Sequence, residues 1–123
     1  MEEVEYFFDT YAVIEIIKKN PNYEPYVDND VTLVVFNMAE VYYSVLNTFD
    51  EKTAEEIYEK YKSAIVEIPE EVLKESMKFR KTHKKRNLSY ADAIGYTYAL
   101  KNGMKFLTGD KEFENLPNVE FVK

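Results

Sequence analysis

The chain has 123 residues, 23 Asp and Glu against 16 Lys and Arg, a formal charge of −7, and 46% hydrophobic residues. This balance, with only three Gly and four Pro, excludes extensive disorder and predicts one compact domain over residues 1–123. With no Cys and one His, His83, disulfides, thiol nucleophiles and Cys- or multi-His metal sites are excluded, so a metal site must use oxygen ligands.

The start, MEEVEYFFD, is acidic and unlike a signal peptide. No run approaches the roughly 18 apolar residues of a membrane span, so a cytoplasmic protein without membrane partners is expected. VEYFF (4–8) suits a buried strand, and Asp9-Thr10 ends it before the helical spacing of YAVIEIIKK. Residues 20–30, with two Pro and several Asn and Asp, predict turns and a short helical piece around 23–27. VTLVVF (31–36) is the clearest strand, and a helix is predicted from Asn37. Asp50 is placed to cap a further helix over 51–64. IVEI (65–68) predicts a short strand, and Pro69 suits the first position of a helix running to 85. Ser89 opens a helix that stops at Gly103, MKFLT (104–108) is a buried strand, and VEFV (119–122) is the last. Alternating strands and helices predict an α/β sandwich with a mainly parallel central sheet.

In such sheets ligands gather beyond the carboxyl ends of the strands. Asp9 and Asp110 follow strands, Glu40 lies a helical turn past one, and Asp92 stands in the opening turn of its helix. Each acid alone is explained locally: Asp9 as a cap, Asn37 with Glu40 and Ser89 with Asp92 as capping boxes, Asp110 as a turn residue. Together they predict carboxylates converging at one end of the sheet. Helix termini relieve only about 0.3–1 kcal/mol each, so a divalent cation is the natural counter-charge. Mg²⁺ or Mn²⁺, which favour carboxylate and water oxygens, point to phosphodiester hydrolysis.

FFDTYAVIE, VTLVVFNMAEVYY and LSYADAIGYTYALKNGMKFLTGDKEF, in that order, resemble the characteristic segments of the PIN-domain ribonucleases, and among them the VapC-type toxins of toxin–antitoxin pairs. The resemblance covers essentially the whole chain. It implies a three-layer α/β/α sandwich in which Asp9, Glu40, Asp92 and Asp110 hold Mg²⁺ or Mn²⁺ for attack of water on the scissile phosphate. Thr10 and Thr108 match hydroxyl positions near the metal, and Glu112 falls where a further acid is common. Gly109 and Lys111 flank Asp110 where Arg or Asn is more frequent. A homodimer and a small antitoxin that enters the acidic site and a hydrophobic groove are implied as well.

KFRKTHKKR (78–86) carries six Lys or Arg in nine positions, against an acidic background. Lys81, Lys84, Lys85 and Arg86 are the expected RNA contacts, and the alternative is a charged helix end that complements the dipole. His83 belongs to this basic run and is expected to be solvated or to touch RNA, not to act as a general base. Tyr42, Tyr43, Tyr90, Tyr96 and Tyr98 are assigned to core or interface before base stacking. A non-catalytic metal- and RNA-binding module and an RNA-processing nuclease outside a toxin pair are the competing functions. A receiver-like domain would need paired acids after the first strand, and an Asp-x-Asp phosphatase fails because residue 11 is Tyr.

Overall fold

The computed structural model describes residues 3–123; Met1 and Glu2, the first residues of the acidic start, lie outside the described residues. Three parallel strands, β1 (Tyr6–Phe8), β2 (Lys105–Thr108) and β3 (Val119–Phe121), form a sheet in the order β1-β2-β3. Phe7 pairs with Phe106 and Phe106 with Val119. Between β1 and β2 run α1 (Thr10–Ile17), α2 (Val35–Thr48), α3 (Glu51–Tyr61), α4 (Glu70–Thr82) and α5 (Tyr90–Lys101). The turn-rich segment becomes a 3₁₀ helix, Pro21–Tyr26, close to the expected helical piece.

Alternation along the two central strands makes the layers. Phe8 and Leu107 face one side, where they pack with Val13 of α1, Val41 and Val45 of α2 and Ala54 of α3. Phe7 and Phe106 face the other, against Ile94, Tyr96 and Ala99 of α5, with Met77 and Phe79 of α4 behind them. All four strand side chains are fully buried, each contributing about 1.5–3 kcal/mol on removal from water. This is a helix–sheet–helix sandwich. α5 is buried on most of its circumference because it lies between the sheet and α4. A Cβ on Gly95 would stand 2.6 Å from Phe7 Cε1 and 3.2 Å from Phe106 Cε1, so Gly at this position sets how closely α5 approaches the sheet.

Two expected strands are corrected. Residues 31–36 and 65–68 contribute only an isolated parallel bridge, Leu33 with Ile65. They do lie in sheet positions, since Phe8 N–H donates to Thr32 O at 2.9 Å and Val66 N–H to Leu33 O at 2.9 Å. Extended pairing ends at Val34, the N-cap of α2, whose N–H donates to Asn37 Oδ1 at 3.0 Å. That bond turns a β-branched run into a helix start, so tertiary context overrides strand propensity. It also moves the helix start back from Asn37, and Asn37 with Glu40 is not a capping box. Pro69 is the N-cap of α4 and not its first residue, and α4 ends at Thr82 instead of running to 85. α3 likewise ends at Tyr61, with Lys62–Ala64 as a 3₁₀ turn.

Candidate active site

Asp9 leaves β1 in extended conformation and accepts from Ala12 N–H at 2.9 Å, which caps α1 and aims the carboxylate beyond the strand end. On the neighbouring strand, Thr108 ends β2, and its Oγ1 accepts from Asp110 N–H at 3.0 Å. Asp110 Oδ1 in turn accepts from Glu112 N–H at 3.0 Å at the start of the 3₁₀ turn Lys111–Phe113. Between Thr108 and Asp110 only glycine fits, because a Cβ at Gly109 would overlap the Val122 carbonyl oxygen and the Tyr11 ring. That packing accounts for the Gly where larger residues were expected.

Glu40 arrives from α2. Thr10 Oγ1 donates to Glu40 Oε1 at 2.5 Å, and Asn37 Nδ2 donates to Thr10 Oγ1 at 3.2 Å. Asn37 thus caps α2 with its oxygen and steadies Thr10 with its nitrogen, although it is 1% exposed. Asp92 is held by the expected capping box, Ser89 N–H to Asp92 Oδ2 at 2.9 Å and Asp92 N–H to Ser89 Oγ at 3.1 Å.

The four acids therefore come from four segments and line one cleft of about 460 Å³, together with Thr10, Glu15, Ser44 and Ser89. Larger depressions of about 620 and 650 Å³ lie at the amino end of β1, away from the acids. Burial pushes the Asp9 carboxyl up to about 8; Thr108 and the Ala12 N–H pull it down, and Asp92 and Asp110 push it up. Burial also raises Asp92 to about 6, opposed by the Ser89 N–H and reinforced by Asp110 and Glu40. Mutual repulsion thus links all four carboxylates across the cleft. Among the described residues no three acids are gathered tightly enough to cage an ion unaided. The donor set, carboxylates and hydroxyls without nitrogen or sulfur, nevertheless has the chemistry a hard divalent cation requires, and lone Lys18 at the rim, beside Glu15, cannot balance it.

Other expected residues stand apart from this cleft. Glu112 does not line it; its carboxylate accepts from Asn87 N–H at 3.2 Å, and its carbonyl accepts from Arg86 Nη1 at 2.5 Å. Lys81, Lys84 and Arg86 line a separate cleft with Arg80, while Lys85 is exposed outside it. His83 Nδ1 lies 3.0 Å from Phe79 O, against the last turn of α4 and outside the acidic cleft. Tyr96 is buried and donates to Pro117 O at 2.6 Å, as expected of a core residue, whereas Tyr43 and Tyr90 are 68% and 56% exposed. Two further residues are not legible in the sequence: Asn37 fits a cap equally well by spacing, and Glu15 reads as an ordinary helix acid.

The chain belongs to the PIN domain family, whose model matches residues 6–119. Among solved structures it is similar to VapC20 of Mycobacterium tuberculosis, a Sarcin-Ricin loop cleaving toxin, at 14% identity and TM-score 0.76, covering 97% of this chain and 100% of that chain. It is also similar to VapBC2 of Rickettsia felis bound to a promoter DNA fragment (16%, TM-score 0.74, 98% and 100% covered). A toxin–antitoxin complex from Klebsiella pneumoniae shares 18% identity at TM-score 0.71, with 94% and 96% covered. A comparison with curated protein sequences found no match. No helix among the described residues is long and apolar enough to cross a membrane.

Proposed function

We propose that the chain is a divalent-metal-dependent endoribonuclease, forming a single PIN domain over residues 1–123 and acting as the toxin of a type II toxin–antitoxin pair in the cytoplasm. The observation that carries this reading is the convergence of Asp9, Glu40, Asp92 and Asp110, from four segments, in one cleft beyond the parallel strand ends. Family membership and the likeness to a toxin described as cleaving the Sarcin-Ricin loop support RNA as the substrate.

These four carboxylates are the residues that would hold one or two Mg²⁺ or Mn²⁺ ions. Such an ion supplies Lewis acidity toward a phosphate ester and a more acidic water as nucleophile. The chain's own part is to keep the acids in register. Thr10, steadied by Asn37, orients Glu40; the Ala12 N–H holds Asp9; Thr108 holds the Asp110 backbone; Ser89 fixes Asp92. Glu112 supports the site from outside by holding the 86–87 segment against Asp110's turn. Lys81, Lys84, Lys85 and Arg86 supply positive charge for the RNA backbone.

The apolar groove between α2 and α3, about 560 Å³ and lined by Val35, Met38, Tyr43, Leu46 and Tyr58, is the seat we assign to a small antitoxin; a homodimer is the expected assembly. Several similar structures are toxin–antitoxin complexes, which supports the partner.

The deciding experiment incubates purified protein with labelled single-stranded RNA and Mg²⁺ or Mn²⁺, with chelator and Asp92→Asn as controls. Cleavage lost in both controls is the expected result. Intact RNA with metal bound at the acids would replace the nuclease reading with a non-catalytic binding module.

A further inference from the structure

We propose that the cleft of Arg80, Lys81, Lys84 and Arg86 is a phosphate subsite for single-stranded RNA, with the exposed ring of Tyr90 as a stacking face for one unpaired base. The cleft, about 410 Å³, lies where α4 turns into α5 and is walled by Asn87 and Leu88. Ser89, next in the chain, lines the acidic cleft. Consecutive residues, 87–88 and 89, thus line the two clefts.

A charged helix end would be a loose, solvated tail, and two features distinguish this cleft from one. Its arginines are held by backbone carbonyls: Arg80 Nε donates to Leu88 O at 3.0 Å and Arg86 Nη1 to Glu112 O at 2.5 Å. Carbonyls fix the guanidinium groups without neutralising them. No carboxylate lines the cleft, the one at its wall, Glu112, bonds the Asn87 N–H, and the ion pairs among the described residues all lie elsewhere, so four cations gather against a single nearby carboxylate in a protein of net charge −7. Their mutual repulsion has a natural counter-charge in the phosphates of a bound strand.

Tyr90 supplies the preference for single strands. The Arg80 guanidinium carbon lies 4.5 Å from its ring centroid, which orients the ring, while the side chain remains 56% exposed. A face of this kind receives a base only if the base is unpaired. Arg80 and Tyr90 therefore join the expected Lys81, Lys84 and Arg86, and Lys85 stays outside the cleft. The inference rests on the acidic cleft being the place where the strand is cut.

The test measures binding of a labelled ten-nucleotide single-stranded RNA by fluorescence anisotropy in chelator, so that no cleavage occurs, across a range of salt. Lys81→Ala/Lys84→Ala is expected to weaken binding roughly tenfold at low salt and to flatten the salt slope by about 1.4, or about 0.7 for each phosphate that is no longer neutralised. Tyr90→Ala is expected to weaken it roughly 5- to 150-fold, with Tyr90→Phe close to wild type and an RNA duplex indifferent to either change. An unchanged slope, equal effects of Tyr90→Ala and Tyr90→Phe, or displacement by oligoglutamate as readily as by RNA would overturn the subsite. Parallel cleavage assays with Mn²⁺ separate the two readings. Cleavage that needs Asp92, together with binding indifferent to these variants, removes the subsite and keeps the nuclease. The expected binding pattern without cleavage of any RNA keeps the subsite and removes the nuclease.

Discussion

Asp9 shows how a single side chain can be set against the stability of its own fold. In the unfolded chain its carboxyl ionises near 3.8, whereas in the folded protein burial holds the proton to about 8. Between those values the folded state binds more protons than the unfolded state, so stability falls as pH rises from about 4 and levels off above about 8. Asp92 adds to the fall between about 4 and 6. Asp9→Asn keeps a side-chain oxygen for the Ala12 N–H and removes the charge. In chelator, its unfolding free energy from urea titration at pH 8 is expected to exceed wild type by on the order of a few kcal/mol, with a higher midpoint, and with little difference at pH 4. Equal midpoints at pH 8 would mean that the carboxylate is solvated in the folded protein. The location of Asp9, Asp92 and Asp110 beside strand ends and helix starts was legible in the chain, whereas Glu40 lies in the second turn of a helix that begins at Val35, after a single bridge and not a strand. The Thr10–Asn37 link to Glu40 was not legible, because Asn37 fits a cap equally well by spacing, and the contact joins residues 27 positions apart.

α5 is the element on which the cleft most depends, because it carries Asp92 at its first turn and lies directly on the sheet. Gly95 makes that approach possible. Gly95→Ala gains helix propensity of up to about 1 kcal/mol, but its methyl would meet the rings of Phe7 and Phe106, and overpacking of a rigid core costs about 1–3 kcal/mol. A net loss of stability is expected, measured as a lower urea midpoint; a raised midpoint would show that the two rings yield without cost. α2 shows the converse limit of local pattern. VTLVVF has the composition of a strand, and both Leu33 and Val34 are buried, yet Val35 and Phe36 are exposed on the first turn of the helix that Val34 caps. A short apolar run does not reveal where its last pairing partner ends, and here the partner at Ile65 offers only one bridge.

Across the whole molecule, charge and apolar surface are segregated. Acids surround the strand ends, cations gather where α4 meets α5, and an apolar groove follows α2 and α3. The groove includes Tyr43 and Leu46, 68% and 38% exposed, which cost little to expose singly but mark a partner surface when contiguous. With both replaced, Tyr43→Asp/Leu46→Asp, the protein is expected to keep RNA cleavage and to stop growth even when the product of the neighbouring gene is co-expressed. Continued rescue of growth by that product would move the antitoxin seat elsewhere.

The sequence by itself determined the α/β alternation, buried strands within 4–8 and 104–108, the capping box at Ser89 and Asp92, the absence of thiol and paired-imidazole chemistry, and the order of four acids along the chain. All of these are local properties, expressed in spacing, caps and composition. Only the tertiary structure decided that residues 31–36 leave the sheet after one bridge, that Gly109 is required by the Val122 carbonyl and the Tyr11 ring, and that Glu112 faces the 86–87 segment instead of the acidic cleft. It also brought Arg80 and Tyr90 together. Each of those outcomes depends on contacts or orientations that the packed chain sets, which spacing along the sequence does not encode.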